Sequence, residues 1–145
     1  MRKRAKAILI AAIASVLSCS SYFIAEYNQA VDTGATELQQ KVDRFLTGLE
    51  QTAGTPDGEY EQHIAFYDEV RNDVGNLRGL ASTQRGNDLT RRSLDLIGDN
   101  VDRLEAMHAK GISPKEIAIV RTLFDTQFRM LVQLENAKKR KESAS

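Results

Sequence analysis

Three places in this sequence hold side chains able to do chemistry. Glu105-Ala106-Met107-His108 sets a carboxylate and an imidazole three residues apart, so on a helix they project from one side. This is the Glu-x-x-His spacing of di-iron bundles, whose centres need the pair on two helices and a further glutamate on each of two others. The second histidine, His63, follows Glu59 and Gln62 and lacks that pattern, so we expect no metal and no cofactor. His108 is expected instead to be partly exposed in the last turn of a helix, favourably placed against the dipole there. The second place is Tyr60, Phe66 and Tyr67, three rings that either line a pocket for an aromatic or lipid ligand or form core with their hydroxyls at the surface. The third is Cys19, the only thiol of the chain. There is no Cys-x-x-Cys-His, His-Glu-x-x-His, Gly-x-Ser-x-Gly or phosphate-cradling glycine loop. No catalytic residue is assigned and the chain is not expected to be an enzyme.

The elements that must position these residues are helices. Ala, Leu, Glu, Gln, Lys and Arg dominate, with only two prolines and no tryptophan. A first stripe runs Val31, Ala35, Leu38, Val42, Phe45 and Leu49 at spacings of four and three, with Asn28 as its candidate cap. After a glycine-rich turn over residues 53–58, a second helix is predicted from about Glu59. Its inner face carries Tyr60, Ile64, Tyr67, Val70, Val74, Leu77 and Ala81, and Gly86 ends the segment that follows. The third helix is predicted over 88–110, with Leu94, Ile97, Val101, Leu104 and His108 inward, and Gly111 stands where a left-handed residue closes a helix. Ser113-Pro114-Lys115-Glu116 combines a cap, a proline suited to the first helical position and the glutamate of a capping box. It starts a fourth helix with Ile117, Val120, Phe124, Phe128, Leu131 and Leu134 inward, ending in the basic run Lys138, Lys139, Arg140 and Lys141, read as solvated. Short connections force consecutive helices antiparallel, so the expected fold is all-α, an up-down-up-down four-helix bundle over residues 29–141, with a tail at 142–145.

Composition narrows the class. With 145 residues, 41% hydrophobic and 28% charged, the chain suits one globular domain. Its 20 basic and 20 acidic residues balance, but four of the basic ones stand in the first six positions, leaving 16 against 20 in the rest. Such a body lacks the basic surplus that binding to phosphates needs, so no nucleic-acid partner is expected.

Those four charges precede eleven uncharged residues, 7–17, and then small residues around Cys19. This is the layout of a secretory signal, with an apolar run too short for the roughly 20 residues of a membrane span. The tetrad Val16-Leu17-Ser18-Cys19 resembles the lipobox of bacterial lipoproteins. The resemblance implies cleavage before Cys19, acylation of its thiol, a signal peptide over 1–18, a tether over 19–28 and attachment to the membrane through the lipid. A lone thiol in an exported protein fits, because acylation leaves none free. Ser20, where inner-membrane retention uses Asp, implies the outer membrane with the body facing the periplasm. The expected function is a non-enzymatic interaction or accessory module of the cell envelope with an unknown protein partner. The alternative is a small-ligand sensor on an uncleaved anchor, since residues 7–25 carry no charge.

Overall fold

A computed structural model describes residues 25–144. They form four α-helices, α1 (Gln29–Thr52), α2 (Ile64–Ser82), α3 (Asp88–His108) and α4 (Pro114–Ser143), with two short 3-10 turns, Pro56–Gly58 and Tyr60–Gln62, between α1 and α2. Each helix packs on its chain neighbours and α1 packs on α4, closing a ring around one apolar core. The fold is an all-α four-helix bundle.

Local chemistry sets the ends. The Asn28 side chain accepts from the backbone of Ala30 at 3.0 Å and caps α1. Gly111, at φ +89°, takes the left-handed conformation after α3, and Ile112 beside it is buried. Ser113 and Glu116 form the reciprocal capping box of α4, and their hydrogen bonds hold the Glu116 carboxyl below its ordinary pKa.

Ion pairs between flanks fix which side of each helix meets which neighbour. Lys41 bridges α1 to Asp73 of α2 at 2.6 Å. Arg71 and Arg78 bridge α2 to Asp102 and Asp95 of α3 at 2.9 and 2.6 Å. Arg121 bridges α4 to Asp43 and Glu50 of α1 at 3.1 and 2.8 Å. Such partly exposed pairs each contribute about 1 kcal/mol or less, so they select orientation more than they stabilise.

Several inner positions differ from the sequence reading. In α1 Leu46, not Phe45, fills the innermost position, because Phe45 turns toward α2 and stacks on Phe66 with ring centroids 3.6 Å apart. The second helix begins at Ile64 rather than near Glu59, and Ile64 is exposed. His63 interrupts it with φ −124° and ψ 6°, outside the helical region, while its ring reaches back to the preceding turn. The fourth helix runs on to Ser143, so the first two residues of the expected tail are helical.

The largest departure is at the end of α4. Leu134 is only half-buried, and the inward stripe continues through Glu135 and Lys138, which are 0% and 2% exposed. Lys138 therefore leaves the solvated basic run. Its ammonium donates to Asn87 Oδ1, to Thr90 Oγ1 at 2.7 Å and to Glu135 Oε1 at 2.6 Å. The Thr90 hydroxyl donates to Glu135 at 2.7 Å, and the Asn87 amide donates to the Ala81 carbonyl at 3.0 Å. Asn87 thus stands at the N-cap of α3 without capping it by its side chain. Three helix ends are tied to one buried cation.

Removing one partner of a buried ion pair strands the other, at a cost of about 3–5 kcal/mol, whereas replacing both by apolar groups is often neutral. Lys138→Met should therefore destabilise by about that much, and Glu135→Leu combined with Lys138→Met should recover most of it. Urea unfolding followed by circular dichroism compares the three proteins. Equal losses in the single and double variants would show that the pairing contributes nothing.

Candidate functional site

Apart from Cys19, the residues singled out for chemistry meet at the end of the bundle away from residue 25, where α1 ends and α2 begins. The chain there turns tightly. Gly54 takes φ +81°, Thr55 binds back to the Thr52 carbonyl, and Gly58 lies so close that a Cβ would sit 2.2 Å from that same oxygen. Only glycine fits there. The turn is a strap, and both histidines of the chain hold it.

His108 Nε2 lies 2.8 Å from the Gly58 carbonyl and His63 Nε2 lies 2.9 Å from the Asp57 carbonyl. A carbonyl only accepts, which assigns the proton to Nε2 in both rings. The bare Nδ1 of His108 is then the acceptor for the Tyr67 hydroxyl, 2.8 Å away. Burial pushes the Tyr67 phenol above its ordinary pKa, with Tyr60 adding to the rise and Arg71 opposing it, so it keeps the proton it donates. His108 is 3% exposed, not the partly exposed terminal residue that its sequence position implies. Two satisfied ring nitrogens allow that burial.

Tyr60, Phe66 and Tyr67 are drawn together with Phe45, His63 and His108 into one set of ring contacts. Phe45 meets Tyr67 edge-on at 5.6 Å, Tyr60 meets His108 at 5.9 Å, and the two histidines lie 5.6 Å apart. The rings fill the end of the core, but the Tyr67 hydroxyl does not reach the surface as the sequence reading had it, because Tyr67 is fully buried and its hydroxyl meets His108. Glu105, however, turns away from His108. It accepts from the Tyr60 hydroxyl at 2.9 Å and pairs with Arg71, which also holds Asp102. The Glu-x-x-His spacing therefore splits between two networks, because α2 lies against one flank of α3 while the core lies against the next. Among the described residues, no group of three or more His, Cys, Asp or Glu converges to hold a metal ion.

A half-open cleft of about 310 Å³ lies between the strap and residues 108–112, with Glu59, Glu61, Tyr60 and His108 among its walls. It is at the small end of ligand pockets and has no nucleophile beside a free base.

Cys19 lies outside the described residues. The buried set Asn87, Thr90, Glu135 and Lys138, at the opposite end of the bundle, was missed in the sequence. The available signal was spacing, since Leu131, Glu135 and Lys138 continue the steps of four and three where Leu134 does not. No known protein family matches the chain, and no curated protein or solved structure matches it either.

Tyr67→Phe leaves His108 Nδ1 buried without a donor and should cost about 1–3 kcal/mol at neutral pH. Because the folded pKa of Tyr67 is raised, its contribution is complete below the ordinary phenol value of about 10 and is lost as pH rises beyond it. Wild type should lose more stability than Tyr67→Phe between pH 8 and pH 11 in urea unfolding. Parallel losses would contradict the assigned donor.

Proposed function

We propose that this chain is a non-enzymatic lipoprotein of the bacterial envelope, held to a membrane through a lipid on Cys19 and acting through its helical body as an interaction or accessory module. The observation that carries the reading is Val16-Leu17-Ser18-Cys19 placed after four basic residues and an eleven-residue uncharged run. Its sorting residue, Ser20, favours the outer membrane, with the body in the periplasm. No partner chemistry is implied beyond a protein, and no nucleic acid.

Two features of the body support it. Ala25 is buried, so the uncharged stretch left for a bilayer ends at residue 24, with four serines in it. That weakens the alternative of a ligand sensor on an uncleaved anchor, for which about 20 apolar residues are needed. Among the described residues, no helix is long and apolar enough to cross a membrane. The second feature is distance. Five residues lie between Cys19 and Ala25, a span of at most about 20 Å, which keeps the end of the bundle carrying Lys139 and Arg140 near the lipid surface. Lys139 already lies over the Tyr27 ring at 5.3 Å, beside the start of α1. Cations there suit anionic head groups.

Cys19→Ser tests the reading. An acylated Cys19 requires that the variant accumulate as an uncut precursor, with residues 1–6 retained and no labelled fatty acid incorporated, while wild type is cut and labelled. If both proteins keep residues 1–6 and neither takes up labelled palmitate, the chain is not a lipoprotein.

A further inference from the structure

The strap between α1 and α2 holds the one place in the sequence where an aspartate or asparagine precedes a glycine, Asp57-Gly58. Such a pair has a reaction of its own. The backbone nitrogen of the second residue can reach the side-chain carboxyl of the first and close a five-membered ring, and glycine puts no Cβ in the way. Asp57 is exposed, and its carboxyl has no hydrogen-bond or ion-pair partner among the described residues. The nitrogen it would react with is held back. Gly58 N–H donates to the Thr55 carbonyl at 3.0 Å, and the 3-10 backbone of Pro56–Gly58 keeps that nitrogen turned away from Asp57 Cγ about the Cα–C bond. His63 holds the Asp57 carbonyl at 2.9 Å and His108 holds the Gly58 carbonyl at 2.8 Å, so the chain is tied on both sides of the reacting nitrogen.

We propose that Asp57-Gly58 is a latent isoaspartyl site, closed while the two histidines hold the strap and reactive when the strap lifts. In the lifted strap the Gly58 nitrogen attacks Asp57 Cγ, and its proton leaves with the carboxyl hydroxyl as water, giving a succinimide. Solvent water then adds to the Asp57 α-carbonyl of that ring. The bond from this carbon to the Gly58 nitrogen breaks, the α-carboxylate is released, and the main chain now runs through Cβ and Cγ. Addition at the other carbonyl restores aspartate. The water lost is regained, so the mass is unchanged and nothing is oxidised or reduced.

The product does not fit the closed strap. It adds one atom to a main chain that already presses on its neighbours, since a Cβ on Gly58 would sit 2.2 Å from the Thr52 carbonyl oxygen. Gly58 then cannot bond to Thr55 and present its carbonyl to His108 at the same time. Isomerisation therefore latches the strap open and displaces one wall of the cleft between the strap and residues 108–112. Segments of this kind open locally, well below the free energy of global unfolding, so the reaction does not require the bundle to melt. The inference does not depend on how the chain is anchored.

The test follows isoaspartate in the full chain in detergent micelles at neutral pH, read in the tryptic peptide of residues 45–71, with the urea-unfolded chain as reference. Folded wild type should accumulate it on the order of 100-fold more slowly than the unfolded chain, the factor by which the closed strap outweighs the lifted one. His63→Ala removes one of the two holds and should raise the folded rate several-fold while keeping the helical spectrum. If that variant does not fold, wild type in urea below its unfolding transition decides, because the rate should rise before the helical signal falls. The isomerised chain, once separated, should lose hydrogen-exchange protection over residues 58–63 and keep it in α3 and α4. A folded chain that reacts as fast as the unfolded one overturns the proposal, as does a His63→Ala rate no higher than wild type's. A rate that rises only with global unfolding, or an isomerised chain whose strap stays protected, overturns it as well.

Discussion

A cation taken out of water must keep all its hydrogen bonds, and in this bundle that constraint falls on Lys138. Its three N–H groups have three oxygen acceptors, supplied by the residue before α3, the first turn of α3 and α4 itself. Shifting α4 by one residue along α3 would part the ammonium from Asn87 and Thr90 and the Glu135 carboxylate from the Thr90 hydroxyl. Apolar stripes alone would tolerate such a shift more easily, since leucine packs on leucine at many heights. The second Glu135 oxygen is buried without a partner, so the network also carries a cost.

The opposite end solves a different problem. Between α1 and α2 the chain has to cross from one helix to the next over the rings at the end of the core, and its backbone carbonyls there face inward. Both histidines answer those carbonyls, and Tyr67 satisfies the nitrogen that His108 has left. The middle of the bundle is almost wholly apolar. Polar specificity thus sits at the two ends and general hydrophobic stabilisation lies between them.

These ends differ in their relation to the proposed anchor. The Lys138 network lies at the end of the bundle that carries residue 25, whereas the histidine strap and its cleft lie at the other end.

Periodicity and cap chemistry were enough to specify four helices, their order and most of the inward side chains. Asn28, Gly111 and the Ser113–Glu116 box act within a few residues of themselves, which is why they could be read without neighbours. His108 and Lys138 could not, because burial of a polar group depends on partners 41 and 48 residues away, Tyr67 and Thr90, that only folding brings within 2.8 Å. The Glu105–His108 pair illustrates the same limit from the other side. Spacing put both on one side of α3, but Arg71 and Tyr60 on one flank and Gly58 and Tyr67 at the core pulled them apart. A sequence states which groups can meet along one helix, and the packing of three others decides which of them is desolvated and by what it is satisfied.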